Sequence, residues 1–275
     1  MGAAVTGPRS RPPAVRRYGQ NHLVDAGTLE AILAMAAVRR DDVVLEVGAA
    51  GGLLSARLAD QARLVHAFEI DRRFAVELGR LAAQHENLHV CLTDALRYRL
   101  GDLDPAPSTL VSNLAYNIAI PLIMKTIAGV PTIERWAVML QKELADRLFA
   151  APSTKAYSAV SVLVQLACER SGRRAVPRTV FSPRPNVDSV FVTFSRRADW
   201  PADGYGAVDA LVRVAFGQRR KMLANSLEGA ARDGRALARD QVRRALESLG
   251  LAPSVRPEEL PPPTFVALAE ALGWT

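Results

Sequence analysis

Four short β-rich runs follow one another in the first half of the chain, and helical patterns separate the first three. The runs are DVVLEVG (42–48), RLVHAFEID (63–71), LHVCLTDAL (88–96) and STLVSNLAY (108–116). This alternation predicts an α/β fold with a parallel, doubly wound sheet. Ligands of such sheets bind beyond the carboxyl ends of the strands. The residues expected at that edge are Gly48, Glu69, Asp94 and Asn113.

The rest of the chain indicates an N-terminal arm and a second domain. Residues 1–17 are rich in arginine and proline, so we expect a disordered basic arm. After the α/β pattern come a strand turning into a helix (AVMLQKELADRLFA), a helix or buried strand (SAVSVLVQLAC) and a late strand (VDSVFVTFSRR). The segment ADWPADGYG interrupts the pattern, and we therefore place a boundary at residue 198. The expected units are an α/β domain over 18–197 and a small helical domain over 198–275, which ends in a helix near 266–272.

Charge and cysteine content narrow the class of partner and the compartment. The 275 residues include 35 Lys and Arg against 28 Asp and Glu, which gives a formal net charge of +7. This charge favours a polyanionic binding partner such as nucleic acid, although an anionic membrane surface would satisfy it equally. The most apolar run, 110–124, is interrupted by Asn113, Asn117 and Pro121, so no membrane span is expected. The 2 cysteines match neither a disulfide framework nor a metal site, which favours a reducing cytoplasm. None of the four histidines has a ligand-like partner in the sequence, so no metal is expected.

The loop after the first strand, GAAGG (48–52), lacks the features of two common nucleotide sites. It has neither the lysine and hydroxyl of a GxxxxGK[ST] loop nor the spacing of GxGxxG. The next strand ends in Glu69, whose carboxylate offers paired acceptors for a ribose diol. Such a nucleoside site without a pyrophosphate anchor suits S-adenosylmethionine, and Asp94 would accept from the adenine amine. Either acid alone is better explained as a solvated strand-end residue, but their placement on successive strands favours the cofactor site.

The fourth run continues into SNLAYNIAIP, which suits methyl transfer to an exocyclic amine. The lone pair of such an amine is delocalised into the ring. Asn113 Oδ1 and a backbone carbonyl would accept its two hydrogens, and Tyr116 would stack on a base rotated out of its helix. The proton can leave after the methyl group arrives, so positioning contributes most of the rate. The tetrapeptide alone is equally consistent with a turn asparagine and a core aromatic residue.

Many segments resemble one family, the KsgA-type ribosomal RNA adenine dimethyltransferases, over about residues 18–265. They are YGQNHLVD, LEVG, FEID, TDAL, NLAYNIAIP, MLQKELADRLFA, KAYSAVSVLVQ, FSPRPNVDSVFVTF and FGQRRKMLANSL. The resemblance implies a Rossmann-like class I S-adenosylmethionine-dependent methyltransferase domain with a small C-terminal helical domain. It implies dimethylation at N6 of two adjacent adenosines in the 3′-terminal hairpin of 16S rRNA, in the immature 30S subunit. We expect the protein to act as a monomer.

The resemblance also assigns individual residues. The cofactor contacts that it implies are Asn21, Leu23, Gly48, Glu69, Asp94 and Asn113. It implies that Asn113 also grips the target amine and that Tyr116 stacks on one face of the adenine. Phe181, in FSPRP, would stack on the other face, and the prolines beside it would stiffen that loop. Arg219, Arg220 and Lys221 form a basic cluster that we expect to bind RNA phosphates, although such clusters are more often solvated surface.

Two positions depart from the family pattern. Ala115 stands where the family has proline, and it still supplies a backbone carbonyl. Ala50 replaces the middle glycine of the loop, where we expect the neighbouring Gly51 to adopt any left-handed conformation. These departures leave open an assembly factor that binds RNA with weakened catalysis. A 23S rRNA adenine N6-methylase of the macrolide-resistance type is the other alternative.

Overall fold

The computed structural model describes residues 21–199, 204–218, 221–232 and 235–274. The predicted arm over 1–17 lies outside them. The strands in the described parts are β1 (His22–Leu23), β2 (Val43–Val47), β3 (Leu64–Phe68), β4 (Leu88–Cys91), β5 (Thr109–Asn113), β6 (Arg135–Gln141), β7 (Cys168–Val176), β8 (Phe181–Ser182), β9 (Ser189–Arg196), β10 (Ala231–Arg232) and β11 (Arg235–Ala236). The helices there are α1 (Ala26–Ala36), α2 (Leu53–Ala59), α3 (Ala75–Ala82), α4 (Ala119–Gly129), α5 (Lys142–Leu148), α6 (Ala159–Ala167), α7 (Tyr205–Gly217), α8 (Leu223–Leu227), α9 (Arg239–Ser248) and α10 (Pro262–Ala271).

A seven-stranded sheet in the order β4-β3-β2-β5-β6-β9-β7 forms the centre of the fold. The first five strands in this order are parallel to one another, as the sequence predicts from the alternation of strands and helices. β9 comes after that alternating part of the sequence, and it is antiparallel to both β6 and β7. No crossover helix joins β7 to β9, and a connection without such a helix suits antiparallel neighbours. The predicted Rossmann-like α/β class is confirmed with a mixed sheet.

Helices cover both faces of this sheet, which explains why β2 is buried along its whole length. All five residues of β2 are buried. Because successive side chains of a strand point to opposite faces, Leu45 packs in the cluster that contains α4. Val44 packs in the cluster of α1 and α3. The loop after β2 is thus held at the carboxyl edge between two buried layers.

A short two-stranded ribbon brings distant segments of the sequence together beside this edge. β1 pairs with β8, with Leu23 opposite Phe181. Val24 N–H also donates to the Val180 carbonyl at 2.9 Å. The segment GQNHLVD and the segment FSPRP, which the sequence separates widely, therefore meet next to the sheet.

The helices after residue 204 pack directly against the α/β part of the chain. Their buried residues belong to the same hydrophobic cluster as α4, α5 and α6. The predicted boundary at residue 198 lies between β9 and α7, and it remains a prediction. SAVSVLVQLAC forms helix α6, and the last helix is α10. No helix in the described parts of the chain is both long and apolar enough to cross a membrane.

Candidate active site

A cavity of about 380 Å³ lies at the carboxyl edge of the sheet. Its volume is in the range of small-molecule sites. Seven predicted site residues line it, namely Asn21, Leu23, Gly48, Glu69, Asp94, Asn113 and Tyr116. The structure thus brings together residues from β1 and β5, from the position just before β1, and from the loops after β2, β3, β4 and β5.

The loop after β2 forms one wall of the cavity. The N–H groups of Gly48 and Ala49 both donate to the Phe68 carbonyl, at 2.8 and 3.1 Å. Positive φ angles occur at Gly48 (+88°), Ala50 (+49°) and Gly52 (+80°). The expectation that Gly51 takes the left-handed conformation is wrong, because Ala50 adopts it itself. The reason lies in the Ala50 N–H, which donates to Glu69 Oε2 at 2.7 Å and so fixes the backbone there.

Glu69 is buried at the end of β3, and its carboxylate holds two loops. Oε2 accepts from Ala50 N–H and Oε1 accepts from Asp71 N–H, both at 2.7 Å. Burial raises the pKa of Glu69, and these backbone donors offset part of the rise. Each carboxylate oxygen has a second lone pair, so the group can still accept from a ligand hydroxyl.

Glu46, on β2, is a cavity residue to which the sequence analysis gave no role. It is only 1% exposed, and its Oε2 has no hydrogen-bond partner among the described residues. Burial raises the pKa of Glu46 to about 8. A contact with Ser55 offsets part of this rise, but a buried carboxyl oxygen without a partner is costly, and a cationic ligand group would provide a partner for Oε2. The sequence signal was an acid in the middle of an apolar strand.

Asp94 lies in the loop after β4, and its own loop fixes it. Asp94 Oδ1 accepts from Leu96 N–H at 2.9 Å. The side chain is about one-third exposed, with Arg97 Nε 3.6 Å from Oδ2. An acceptor is therefore held at the cavity wall, where an amine donor of a ligand can reach it.

Asn113 and Tyr116 lie at and just after the end of β5, and each is tied to another element. Asn113 Nδ2 donates to the Asn21 carbonyl at 3.0 Å, which leaves Oδ1 as an acceptor at the cavity. The Tyr116 hydroxyl and Ser189 Oγ on β9 are 2.9 Å apart. The Ala115 carbonyl accepts from Ile118 N–H at 3.1 Å, and a carbonyl oxygen can accept a second hydrogen.

Phe181 lies opposite Leu23 in the β1–β8 ribbon, but it does not itself reach the cavity. Its side chain is 4% exposed and packs in the cluster with Leu23, and it is not among the residues that line the cavity. The aromatic residue of β9 that does line the cavity is Phe191. A stacking role for Phe181 would require its loop to rearrange, and that role remains a prediction.

The predicted RNA-binding cluster is only partly described. Arg219 and Arg220 lie outside the described residues, whereas Lys221 is exposed just before α8. Arg213, upstream on α7, forms a salt bridge with Asp209 at 2.9 Å. No group of three or more His, Cys, Asp and Glu residues in the described parts of the chain is suited to hold a metal ion.

Comparison with known proteins finds similarity to methyltransferases that act on ribosomal RNA. The chain is 42% identical over 268 residues to "Ribosomal RNA small subunit methyltransferase A" of Rubrobacter xylanophilus, with 98% of each chain covered. A solved dimethyladenosine transferase from Plasmodium falciparum superposes with a TM-score of 0.78 at 26% identity, covering 91% of this chain and 98% of that one. The solved 23S rRNA methyltransferase ErmE superposes with a TM-score of 0.67 at 28% identity, covering 92% of this chain and 100% of that one.

These relatives are methyltransferases of the class I fold, so the predicted fold class is confirmed. The family described as "Ribosomal RNA adenine dimethylase" matches residues 14–247. By this match over most of its length, the chain belongs to the ribosomal RNA adenine dimethylase family of methyltransferases.

Proposed function

We propose that the protein dimethylates N6 of two adjacent adenosines in the 3′-terminal hairpin of 16S rRNA, within the immature 30S subunit. The observation that carries the small-subunit substrate is the 42% identity to a small-subunit methyltransferase over 98% of both chains. Methylation of rRNA adenine itself follows from the family. We further propose that the protein acts in the cytoplasm as a monomer.

The cavity fits S-adenosylmethionine as the methyl donor. The buried, partnerless Oε2 of Glu46 suits a ligand with an ammonium group. The loop 48–52 has no lysine to bind a phosphate. Glu69 is proposed to accept from the ribose hydroxyls and Asp94 from the adenine amine, and Asn21, Leu23 and Gly48 to complete the contacts. When bound, the cofactor supplies an electrophilic methyl group.

Asn113 and Tyr116 are proposed to bind the target adenine. Asn113 Nδ2 is already bonded to the Asn21 carbonyl, so Oδ1 is the atom that accepts from the N6 amine. A second hydrogen would go to a backbone carbonyl of residues 114–115, and Tyr116 would stack on the base. The contact between the Tyr116 hydroxyl and Ser189 Oγ would hold the tyrosine ring in a fixed orientation for this stacking. These residues orient the amine, and general base catalysis is not required.

The helical part after residue 198 is proposed to dock on rRNA, with Arg219, Arg220 and Lys221 contacting phosphates. Asn113→Ala should abolish methyl transfer while RNA binding is retained. Replacing the three basic residues by alanine should weaken RNA binding and reduce the slope of log K against log salt by up to about 0.9 for each phosphate that is no longer neutralised. Equal losses of RNA affinity in both variants would contradict this division of roles.

The 23S rRNA methylase remains the second candidate, because ErmE shares the whole fold at a TM-score of 0.67. One experiment would separate the two candidates. The purified protein is incubated with S-adenosylmethionine labelled in its methyl group and with either 30S particles from a strain lacking this methylation or naked 23S rRNA. We expect label in the 3′-terminal fragment of 16S rRNA, with dimethyladenosine identified by mass spectrometry. Label confined to 23S rRNA would support the second candidate. Binding to 30S particles without binding of the cofactor would support an assembly factor.

A further inference from the structure

Lys125, on α4, is bonded to the loop that follows β4. Its Nζ donates to the carbonyls of Ala95, Leu96 and Tyr98 at 3.2, 2.6 and 2.6 Å. An ammonium group has three N–H donors. The three acceptors of Lys125 thus lie within four consecutive residues, 95–98.

This loop is the one that holds Asp94 at the cavity. The N–H groups of Arg97 and Tyr98 donate to the Asp94 carbonyl at 3.0 and 3.1 Å, which closes one helical turn. Carbonyls at the C-terminal end of such a turn lack donors within it, and a cation is favourable there. Lys125 satisfies them from another element of the fold.

The same contact links the loop to the segment that is proposed to bind the target base. α4 begins at Ala119, three residues after Tyr116. The loop also has apolar anchors: the Tyr98 ring meets the Phe68 ring on β3 edge-on at 5.2 Å between centroids, and Ala95 is buried in the hydrophobic cluster. Loss of Lys125 would therefore loosen the loop and leave it attached to β3.

We propose that Lys125 is a positioning residue that fixes the loop 94–98 for the adenine end of the cofactor. The proposal rests on the proposed function, in which Asp94 accepts from the adenine amine. Lys125 acts through Asp94 and touches neither substrate. Its loss should weaken cofactor binding and leave the rate at saturating cofactor nearly unchanged.

The test compares Lys125→Met, Lys125→Arg and the control Lys142→Met. Lys142 forms an exposed salt bridge with Asp146 on α5 at 2.8 Å, so its replacement matches the change in charge away from the loop. Calorimetry would measure Kd for S-adenosylhomocysteine and for 5′-methylthioadenosine, which has the adenosine end without the amino acid. We expect Lys125→Met to raise both Kd values by the same factor, on the order of tenfold. The KM for the cofactor should rise equally, with kcat within about twofold.

Lys125→Arg should bind with intermediate affinity, because the donors of a planar guanidinium lie in one plane on a longer side chain and do not match three carbonyls that converge on a single ammonium nitrogen. This conservative variant also keeps the test valid if Lys125→Met fails to fold. In an Asp94→Asn background the effect of changing Lys125 should vanish, since it acts through that carboxylate.

Three results would overturn the inference: unchanged Kd values in both Lys125 variants, a loss of kcat at unchanged KM, or fully additive effects of the Lys125 and Asp94 changes. Failure of the unaltered protein to bind either ligand would instead refute the proposed cofactor site.

Discussion

At the scale of single residues, two alanines in the part of the chain that the structure describes have left-handed backbone conformations. Ala50 in the loop 48–52 has φ of +49°, and Ala37 at the end of α1 has φ of +47°. An L-residue in this region costs on the order of 1 kcal/mol, which glycine avoids. The position of Ala50 is fixed by its bond to Glu69, so the protein tolerates this strain at the cavity wall.

Replacing each alanine by glycine tests whether the strain matters for the cofactor. Both Ala50→Gly and Ala37→Gly should raise the free energy of unfolding by at most about 1 kcal/mol, because the greater freedom of glycine in the unfolded chain offsets part of the relief. Ala37 does not line the cavity, so only Ala50→Gly should lower the Kd for S-adenosylmethionine. Chemical denaturation and calorimetry would measure the two effects. Equal Kd changes in both variants would show that the loop conformation is irrelevant to binding.

The buried carboxyl group of Glu46 predicts a pH dependence. Its folded-state pKa is raised to about 8 from 4.5, so between these values the folded state holds a proton that the unfolded state has lost. The associated stability is full below the unfolded pKa and is lost as pH rises through about 8. Glu46→Gln should therefore flatten the decline of Tm between pH 5 and 8. An unchanged Tm profile in this variant would contradict a buried, protonated Glu46.

Binding of a cation beside Glu46 should favour its ionised form. Below pH 8, S-adenosylmethionine should then release up to one proton from the unaltered protein, and less from Glu46→Gln. Calorimetry in buffers with different ionisation enthalpies would measure the released protons. Equal release by both proteins would place the ammonium group away from Glu46.

At the scale of elements, the sequence predicts the structure best where side-chain periodicity is regular. β2, β3 and β5 are mostly apolar, and the site residues Gly48, Glu69 and Asn113 stand at or directly after their ends, so these ends were predicted together with the site. β7 was missed because its sequence, CERSGRRAV, is mostly exposed, forms the sheet edge and lacks apolar alternation. The pairing of β1 with β8 depends on contacts between residues about 160 apart, which no local pattern contains. For the same reason, the packing of Phe181 against Leu23 was not foreseen.

Gly52 shows how the packing of two helices limits this loop. Its φ is +80°, and an added Cβ would lie 2.5 Å from Cδ2 of Leu81, which is on α3. Gly52→Ala should lower the free energy of unfolding by about 1–3 kcal/mol from backbone strain and crowding together. Leu81 is half-buried and can partly move aside, so the double variant with Leu81→Ala should recover the crowding part alone. Full recovery of the free energy of unfolding in a double-mutant cycle would show that the positive φ contributes nothing to the loss. No recovery would show that crowding against Leu81 contributes nothing.

At the scale of the whole molecule, the helices after residue 204 and the α/β part share buried contacts. The Tyr157 hydroxyl donates to the Leu260 carbonyl at 2.7 Å. The centroid of the Tyr157 ring lies 6.0 Å from that of the Phe216 ring, which in turn lies 5.9 Å from the centroid of the Phe265 ring. A docking domain that moved independently on rRNA would have to break these apolar contacts. The predicted boundary falls between two elements, but the sequence held no information on how closely they pack.

Tyr157→Phe tests whether the two parts unfold together. The change keeps the ring but leaves the buried Leu260 carbonyl without this donor, which should cost about 1–3 kcal/mol. Tyr98→Phe is the control, because Tyr98 is 38% exposed and lies in the loop after β4, in the α/β part alone. If the parts form one cooperative unit, scanning calorimetry of Tyr157→Phe should show a single transition at lower Tm, with calorimetric and van't Hoff enthalpies equal. Separation into two transitions would mean that the shared contacts are weak, and that the helices after residue 198 can reorient on the ribosome while the α/β part stays folded.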